Sequence, residues 1–151
     1  PFEEMETADF RRIVETNLTA VFHLSRRAAI MMAERGYGRI LMISSSSAHR
    51  PAGNSLSYAA SKGGLETLTR GLASQLARRG VTCNAIAPGL FLTPTTGEPP
   101  ATMGDAIAEA VPMGRWGDPR ELVGPAIFLV SEASSYVTGH TLAVDGGILA
   151  G

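Results

Sequence analysis

Three short apolar runs, each reached through a long segment of helical periodicity, constrain this chain more than any other feature. Residues 39–44 (R-I-L-M-I-S), 81–87 (V-T-C-N-A-I-A) and Thr141–Val144 (T-L-A-V) carry consecutive rather than alternating apolar residues. That is the pattern of strands covered on both faces. Over 7–35, Phe10, Ile13, Val14, Leu18, Val21, Phe22 and Leu24 recur at helical spacing, with Thr7 placed to cap the start and Gly36-Tyr37-Gly38 to stop it. Over 57–79, Leu65, Leu68, Leu72 and Leu76 form one stripe, and Gly80 is an end signal. A third helix starts at Asp118-Pro119-Arg120-Glu121, with Asp118 as cap, Pro119 at the first helical position and Glu121 completing a capping box. It is expected to reach 129–132, with a kink at Pro125, whose missing N–H would cost ~3 kcal/mol inside a regular helix.

Strands separated by helices of this length require right-handed crossovers and a parallel sheet, so the fold class is α/β, doubly wound. Ligands of such sheets bind beyond the carboxyl ends of the strands. Residues 44–47, 87–92 and 145–147 lie at those ends, and the first two are the expected walls of a site. The stretch 93–112 is irregular, with Pro94, Gly97, Pro99, Pro100 and Gly104. A stretch of that length is a lid, a binding loop or disordered, with a short helix near 105–110.

Composition removes several functions. The chain has 151 residues, 13 basic and 14 acidic, for a formal net charge of -1. No basic excess marks a nucleic-acid or anionic-membrane binder. Cys83 is the single cysteine, so neither an intrachain disulfide nor a zinc-finger spacing is available. No apolar run approaches the length of a spanning helix, and the acidic start Pro1-Phe2-Glu3-Glu4 lacks a signal-peptide layout. The expected setting is cytoplasmic. His23, His49 and His140 have no partners at metal-ligand spacing, and no metal is expected. Cys83 reads as a small core residue. Met31 and Met32 read as core or subunit packing, Arg78 and Arg79 as cations near a helix end, and Asp145-Gly146-Gly147 as structural.

The chemistry sits on three elements. Tyr58 and Lys62 share one face of the second long helix. A phenol with a reference pKa of ~10 carries protons poorly near neutrality, and about 4 kcal/mol are needed to change that. A lysine cation ~4 Å away supplies about that much at an effective dielectric of ~20, and only ~1 kcal/mol in bulk water. A useful acid/base therefore needs a shielded pocket. The serines 44–47 end a strand, where a hydroxyl could bind a substrate carbonyl. Asn17 is a poor helix former in a helical segment, where its amide could bind a water or a carbonyl at a bend. Each also has a bland reading: an interfacial tyrosine with a solvated lysine, a turn serine satisfying its own backbone, a polar residue on a solvent face.

Taken together, N-L-T-A-V-F at 17–22, G-R-I-L-M-I-S-S at 38–45, Y-A-A-S-K at 58–62, N-A-I-A-P-G at 84–89 and V-T-G-H-T-L-A-V-D-G-G at 137–147 resemble the short-chain dehydrogenase/reductase family. The order and the thirteen-residue step from Ser45 to Tyr58 match as well. The chain is similar to members of the 3-oxoacyl-carrier-protein reductase and sugar-alcohol dehydrogenase kind. The resemblance implies an NAD- or NADP-dependent oxidoreductase that interconverts a ketone and a secondary alcohol. It makes Tyr58 the general acid/base and Lys62 its activating cation and a ligand of the nicotinamide ribose. Ser45 would hold the substrate carbonyl, and Asn17 a relay water. Pro88, Gly89, Phe91 and Thr93 would line the nicotinamide beside Tyr58 and Lys62, and 93–112 would be the substrate lid. The two long helices imply a homodimer or homotetramer, and the partner is a small carbonyl or alcohol.

The family's glycine-rich turn, which sets a helix N-terminus at the cofactor pyrophosphate, has no counterpart in this sequence. The expectation is a partial Rossmann-like sheet lacking its N-terminal half, with residues 1–151 as the C-terminal part of one dinucleotide-binding domain. The choice between NAD and NADP stays open. The 39–44 strand would then lose a neighbour and present an apolar edge. A second hypothesis follows: a truncated, inactive binding or oligomerisation module of the same fold.

Overall fold

The computed structural model describes residues 2–51, 56–93 and 109–151. Three parallel strands, β1 (Gly38–Ile43), β2 (Val81–Pro88) and β3 (Thr141–Val144), lie in the order β1-β2-β3. Gly38 pairs with Val81 and Ile43 with Ile86, while Ala85 pairs with Thr141 and Pro88 with Val144. The helices are α1 (Thr7–Val14), α2 (Ala20–Glu34), α3 (Leu56–Leu76) and α4 (Val123–Val130).

Side chains alternate across a strand, so the register decides which face each residue serves. Ile40, Met42, Cys83 and Ala85 fall on one face and pack with Leu18, Val21, Leu65, Leu68, Leu72 and Ala73. Arg39, one residue out of phase, reaches Glu132 just beyond α4 on the opposite face, at 2.9 Å. Helices therefore cover both faces, as the consecutive apolar strands require. β2 is central and its residues Val81–Ala87 are all buried. Each large apolar side chain buried there contributes roughly 1.5–3 kcal/mol before entropy is counted. β1 lies at the sheet edge, and Ile43 at its end is exposed.

Three local expectations change. The helix expected over 7–35 is interrupted by a π turn at Glu15–Thr19, where the Ala20 N–H bonds to the Glu15 carbonyl. Thr7 is not a cap: Glu6 occupies that position and no side chain bonds the first turn. Pro125 produces no interior kink. The capping box of Asp118 and Glu121 forms as expected, but it opens a 3-10 turn, Pro119–Leu122, before α4 begins at Val123. Pro125 thus lies in the first turn of α4, where its missing N–H costs little. The helix expected over 57–79 closes with a 3-10 turn, Ala77–Arg79, and Gly80 at φ 73°, a left-handed position suited to glycine. Most of the expected lid falls on residues 94–108, outside the described residues.

Candidate active site

The carboxyl end of β1 and the first turns of α3 form the site. Tyr58 is the third residue of α3, and Lys62 follows one turn later. The Lys62 ammonium lies 5.5 Å from the centre of the Tyr58 ring and donates to the Ile43 carbonyl, the last of β1, at 2.7 Å. Burial pushes Lys62 below the ordinary lysine value, because the ammonium has lost water. Two of its three donor hydrogens are not used by Ile43.

Ser45 is the second residue after β1, in extended conformation and buried. Its Oγ accepts from the Ser47 N–H at 3.1 Å, which uses a lone pair and not the O–H. The neighbouring Ser44 is a different case. It is 2% exposed and its hydroxyl donates to Glu66 at 2.7 Å, so of the two, Ser45 is the one placed to meet a ligand. Asn17 sits in the π turn, a device that re-aims side chains and recurs at functional sites. Its Nδ2 donates to Ser61 Oγ at 3.2 Å, and Ser61 Oγ donates to the Tyr58 carbonyl at 2.7 Å. Gly64 permits this crossing, since a Cβ there would stand 2.7 Å from Leu18 Cδ2.

Asn17 is thus joined through Ser61 to the Tyr58 turn of α3, and Lys62, one turn on, ties α3 to the end of β1. Pro88 closes the adjacent strand, and Gly89, Phe91 and Thr93 follow it. Ser44 N–H bonds to the Ile86 carbonyl at 2.7 Å, Gly89 N–H to the Val144 carbonyl at 3.0 Å, and Phe91 pairs with Gly117. A small cavity beside them is lined by Leu90, Phe91, Met113, Arg115, Val144 and Asp145. Among the described residues no cluster of histidine, cysteine or carboxylates could hold a metal, and no helix is long and apolar enough to cross a membrane.

The sequence reading passed over Ser61, which joins Asn17 to the Tyr58 turn, and Glu66, whose buried carboxylate takes Ser44 and His49. A signal existed for Glu66. It continues the Tyr58–Lys62 stripe at the next i+4 position and is a charge amid a buried face.

A family model described as enoyl-(acyl carrier protein) reductase matches residues 1–149. The chain belongs to the short-chain dehydrogenase/reductase family. Its relatives include the 2-dehydro-3-deoxy-D-gluconate 5-dehydrogenase of Formosa agariphila, 40% identical over 99% of this chain and 58% of the relative. The 3-oxoacyl-(acyl-carrier-protein) reductase of Rickettsia felis is 37% identical over 96% of this chain and 60% of the relative. Among solved structures, the gluconate 5-dehydrogenase of Burkholderia cenocepacia J2315, in complex with NADP and tartrate, superposes with a TM-score of 0.95 at 37% identity, covering 100% of this chain and 60% of that one. The chain thus spans about 60% of the length of these relatives, and its three-stranded sheet is part of a Rossmann-like fold.

Proposed function

We propose that the protein is an NAD(P)-dependent oxidoreductase that interconverts a ketone and a secondary alcohol, with Tyr58 as general acid/base. The observation that carries this reading is the Lys62 ammonium, held between the β1 terminus and the Tyr58 ring. Charge developing on the phenolic oxygen as its proton leaves is attracted to that cation. That attraction is about four times stronger at an effective dielectric of ~20 than in bulk water. Tyr58 is 37% exposed in this chain. The acid/base therefore works when its surface is covered, which bound nucleotide and substrate would do.

The residues fit a nicotinamide nucleotide. Lys62 retains donor hydrogens for ribose hydroxyls, and the turn after β2, with Pro88, Gly89, Phe91 and Thr93, adjoins the end of β1. When bound there, such a nucleotide would supply a hydride to the carbonyl carbon, or take one from the carbinol carbon in the reverse direction. Ser45 orients the carbonyl oxygen through its O–H, Tyr58 delivers the proton to that oxygen, and Asn17 holds a relay water. Lys62 stays protonated throughout and stabilises the tyrosinate. NADP and the ketones of sugar acids are the first pair to assay, since the relatives above carry those names and that ligand. The exposed apolar residues of α2 (Phe22, Leu24, Ile30 and Met31) support self-association as a dimer or tetramer.

The deciding experiment is Tyr58→Phe in the complete protein as encoded, with turnover followed at 340 nm. The reading expects activity to fall by at least ~10²-fold, the usual scale of general acid/base catalysis, with the fold retained. Unchanged turnover removes Tyr58 from the role.

The exposure of Tyr58 favours a second reading for the 151-residue chain by itself: a folded module without cofactor affinity. Calorimetry with NADP separates the two, micromolar binding by this chain excluding the module.

A further inference from the structure

Glu66 is the most deeply buried carboxylate among the described residues, with its side chain 4% exposed. The proton chemistry above does not use it. It lies two helical turns beyond Tyr58 and one beyond Lys62, so the three continue one stripe of α3. Successive turns of that stripe hold successive residues of the chain leaving β1. The Lys62 ammonium takes the Ile43 carbonyl at 2.7 Å, and the Glu66 carboxylate takes the Ser44 hydroxyl at 2.7 Å. The segment then turns, with the Ser47 N–H on Ser45 Oγ, and returns to the same carboxylate through His49 Nε2 at 3.0 Å. One acid therefore closes both ends of a six-residue loop, and Ser45 lies inside it.

A buried carboxylate is expensive unless fully paired, and an apolar side chain of similar size often serves stability as well or better. The acid thus points to a positional role. Ser44 is no nucleophile, because its hydroxyl donates to a carboxylate and not to the imidazole. We propose that Glu66 is a positioning residue: by clamping Ser44 and His49 to α3 it fixes where Ser45 stands relative to Tyr58. The proposal rests on the Tyr58–Lys62 reading of the site. Charge-assisted O–H···O⁻ bonds are short and directional, which suits such a clamp. A displacement of about 1 Å at a reacting group can cost ~10²-fold in rate.

The test uses the complete protein and measures kcat, the KM for the carbonyl substrate and the KM for the nucleotide. Glu66→Leu is expected to lower kcat by about a hundredfold while the nucleotide KM stays within about twofold. Glu66→Gln keeps one acceptor for Ser44 and is expected to recover about a tenth of the wild-type rate. In Ser44→Ala/Glu66→Leu the two losses are expected not to multiply, because both act through one bond. A purely stabilising residue would lower the melting temperature and the active fraction, leaving kcat per folded molecule unchanged; that result overturns the proposal, and so does full multiplicativity. If Glu66→Leu fails to fold, Glu66→Gln and Ser44→Ala decide on the same criteria. Turnover that survives Tyr58→Phe would remove the underlying site reading. Turnover lost in Tyr58→Phe but intact per folded molecule in the Glu66 variants would remove this proposal alone.

Discussion

Asn84 and Glu66 are both buried polar side chains, and they are satisfied in opposite ways. Asn84, in the middle of β2, has no exposed surface. Its Nδ2 donates to the Val137 carbonyl at 2.9 Å, and its Oδ1 accepts the His140 N–H at 3.1 Å. Both partners are backbone groups of the segment leading into β3, so the neutral amide works as an extra rung of the sheet. Glu66 is charged, and its partners are side chains, Ser44 and His49, at the carboxyl end of β1. A backbone-paired neutral group can only hold elements together. On the proposed reading, the Glu66 carboxyl, paired with side chains one turn from Lys62, positions groups at the strand end, whereas Asn84 serves the registry of the sheet middle.

Substitutions separate the two regions. Lys62→Met should have the largest effect and belongs to the strand end: turnover in the complete protein should drop by ~10²-fold or more. The helix should persist, because methionine keeps the stem and helix propensity. A comparable loss of rate and of melting temperature would instead make Lys62 a structural residue like Asn84. Asn84→Ala comes next and reverses the pattern. It leaves the Val137 carbonyl and the His140 N–H unpaired in the interior, at about 1–3 kcal/mol for each group left unsatisfied. Urea unfolding should show that loss, while kcat of the molecules still folded should stay near wild type.

The pH profile sharpens the strand-end half of the comparison. Burial lowers the Lys62 pKa below the ordinary lysine value of 10.5. The folded state therefore gives up that proton more readily than an unfolded chain does. As pH rises through the lowered value the cation is lost, and with it the stabilisation of charge on Tyr58. Turnover should decline on the alkaline side earlier than an exposed lysine would allow. A rate constant flat up to pH 10.5 would mean that the Lys62 charge does not matter.

Elements that depend on local patterns could be read from the sequence. β3 was expected at the residues where it forms, and the strands 39–44 and 81–87 are displaced by one residue at most at each end. The Asp118–Glu121 capping box is a matter of four consecutive residues and was equally legible. The π turn was not, although Asn17 marked the place as a poor helix position. Apolar spacing across Ile13, Val14, Leu18 and Val21 looks continuous whether or not one residue is inserted into the turn. Tyr58 and Lys62 were legible because both lie on one helix. Glu66, although it continues their stripe, was passed over because a lone glutamate in a helical pattern reads as a solvated face. What buries it are Ser44 and His49, 22 and 17 residues away. Cys83 was expected in the core and is buried there, where loss of water pushes its thiol up to about 12. It should resist iodoacetamide at pH 8 until denaturant is added, and labelling of the native protein would show the sheet middle to be open.

The smallest effect is expected at the exposed pair Arg115–Glu121, which ties down the capping turn before α4. Glu121 bonds the guanidinium at 2.8 and 2.7 Å and also accepts the Asp118 N–H at 2.8 Å. Chiefly through the Arg115 hydrogen bond, its carboxyl is held down to about 2, below the ordinary 4.5. A carboxyl depressed in the folded state adds stability above its unfolded value. That contribution disappears as pH falls from about 4.5 toward about 2. Glu121→Gln should therefore leave neutral-pH turnover unchanged and flatten the acid limb of the unfolding curve between those values. Exposed ion pairs are screened by salt, so the difference between the two proteins should shrink in 1 M NaCl. An acid limb identical in wild type and variant at low salt would mean that the capping turn stands on the Asp118 bond to the Arg120 N–H alone.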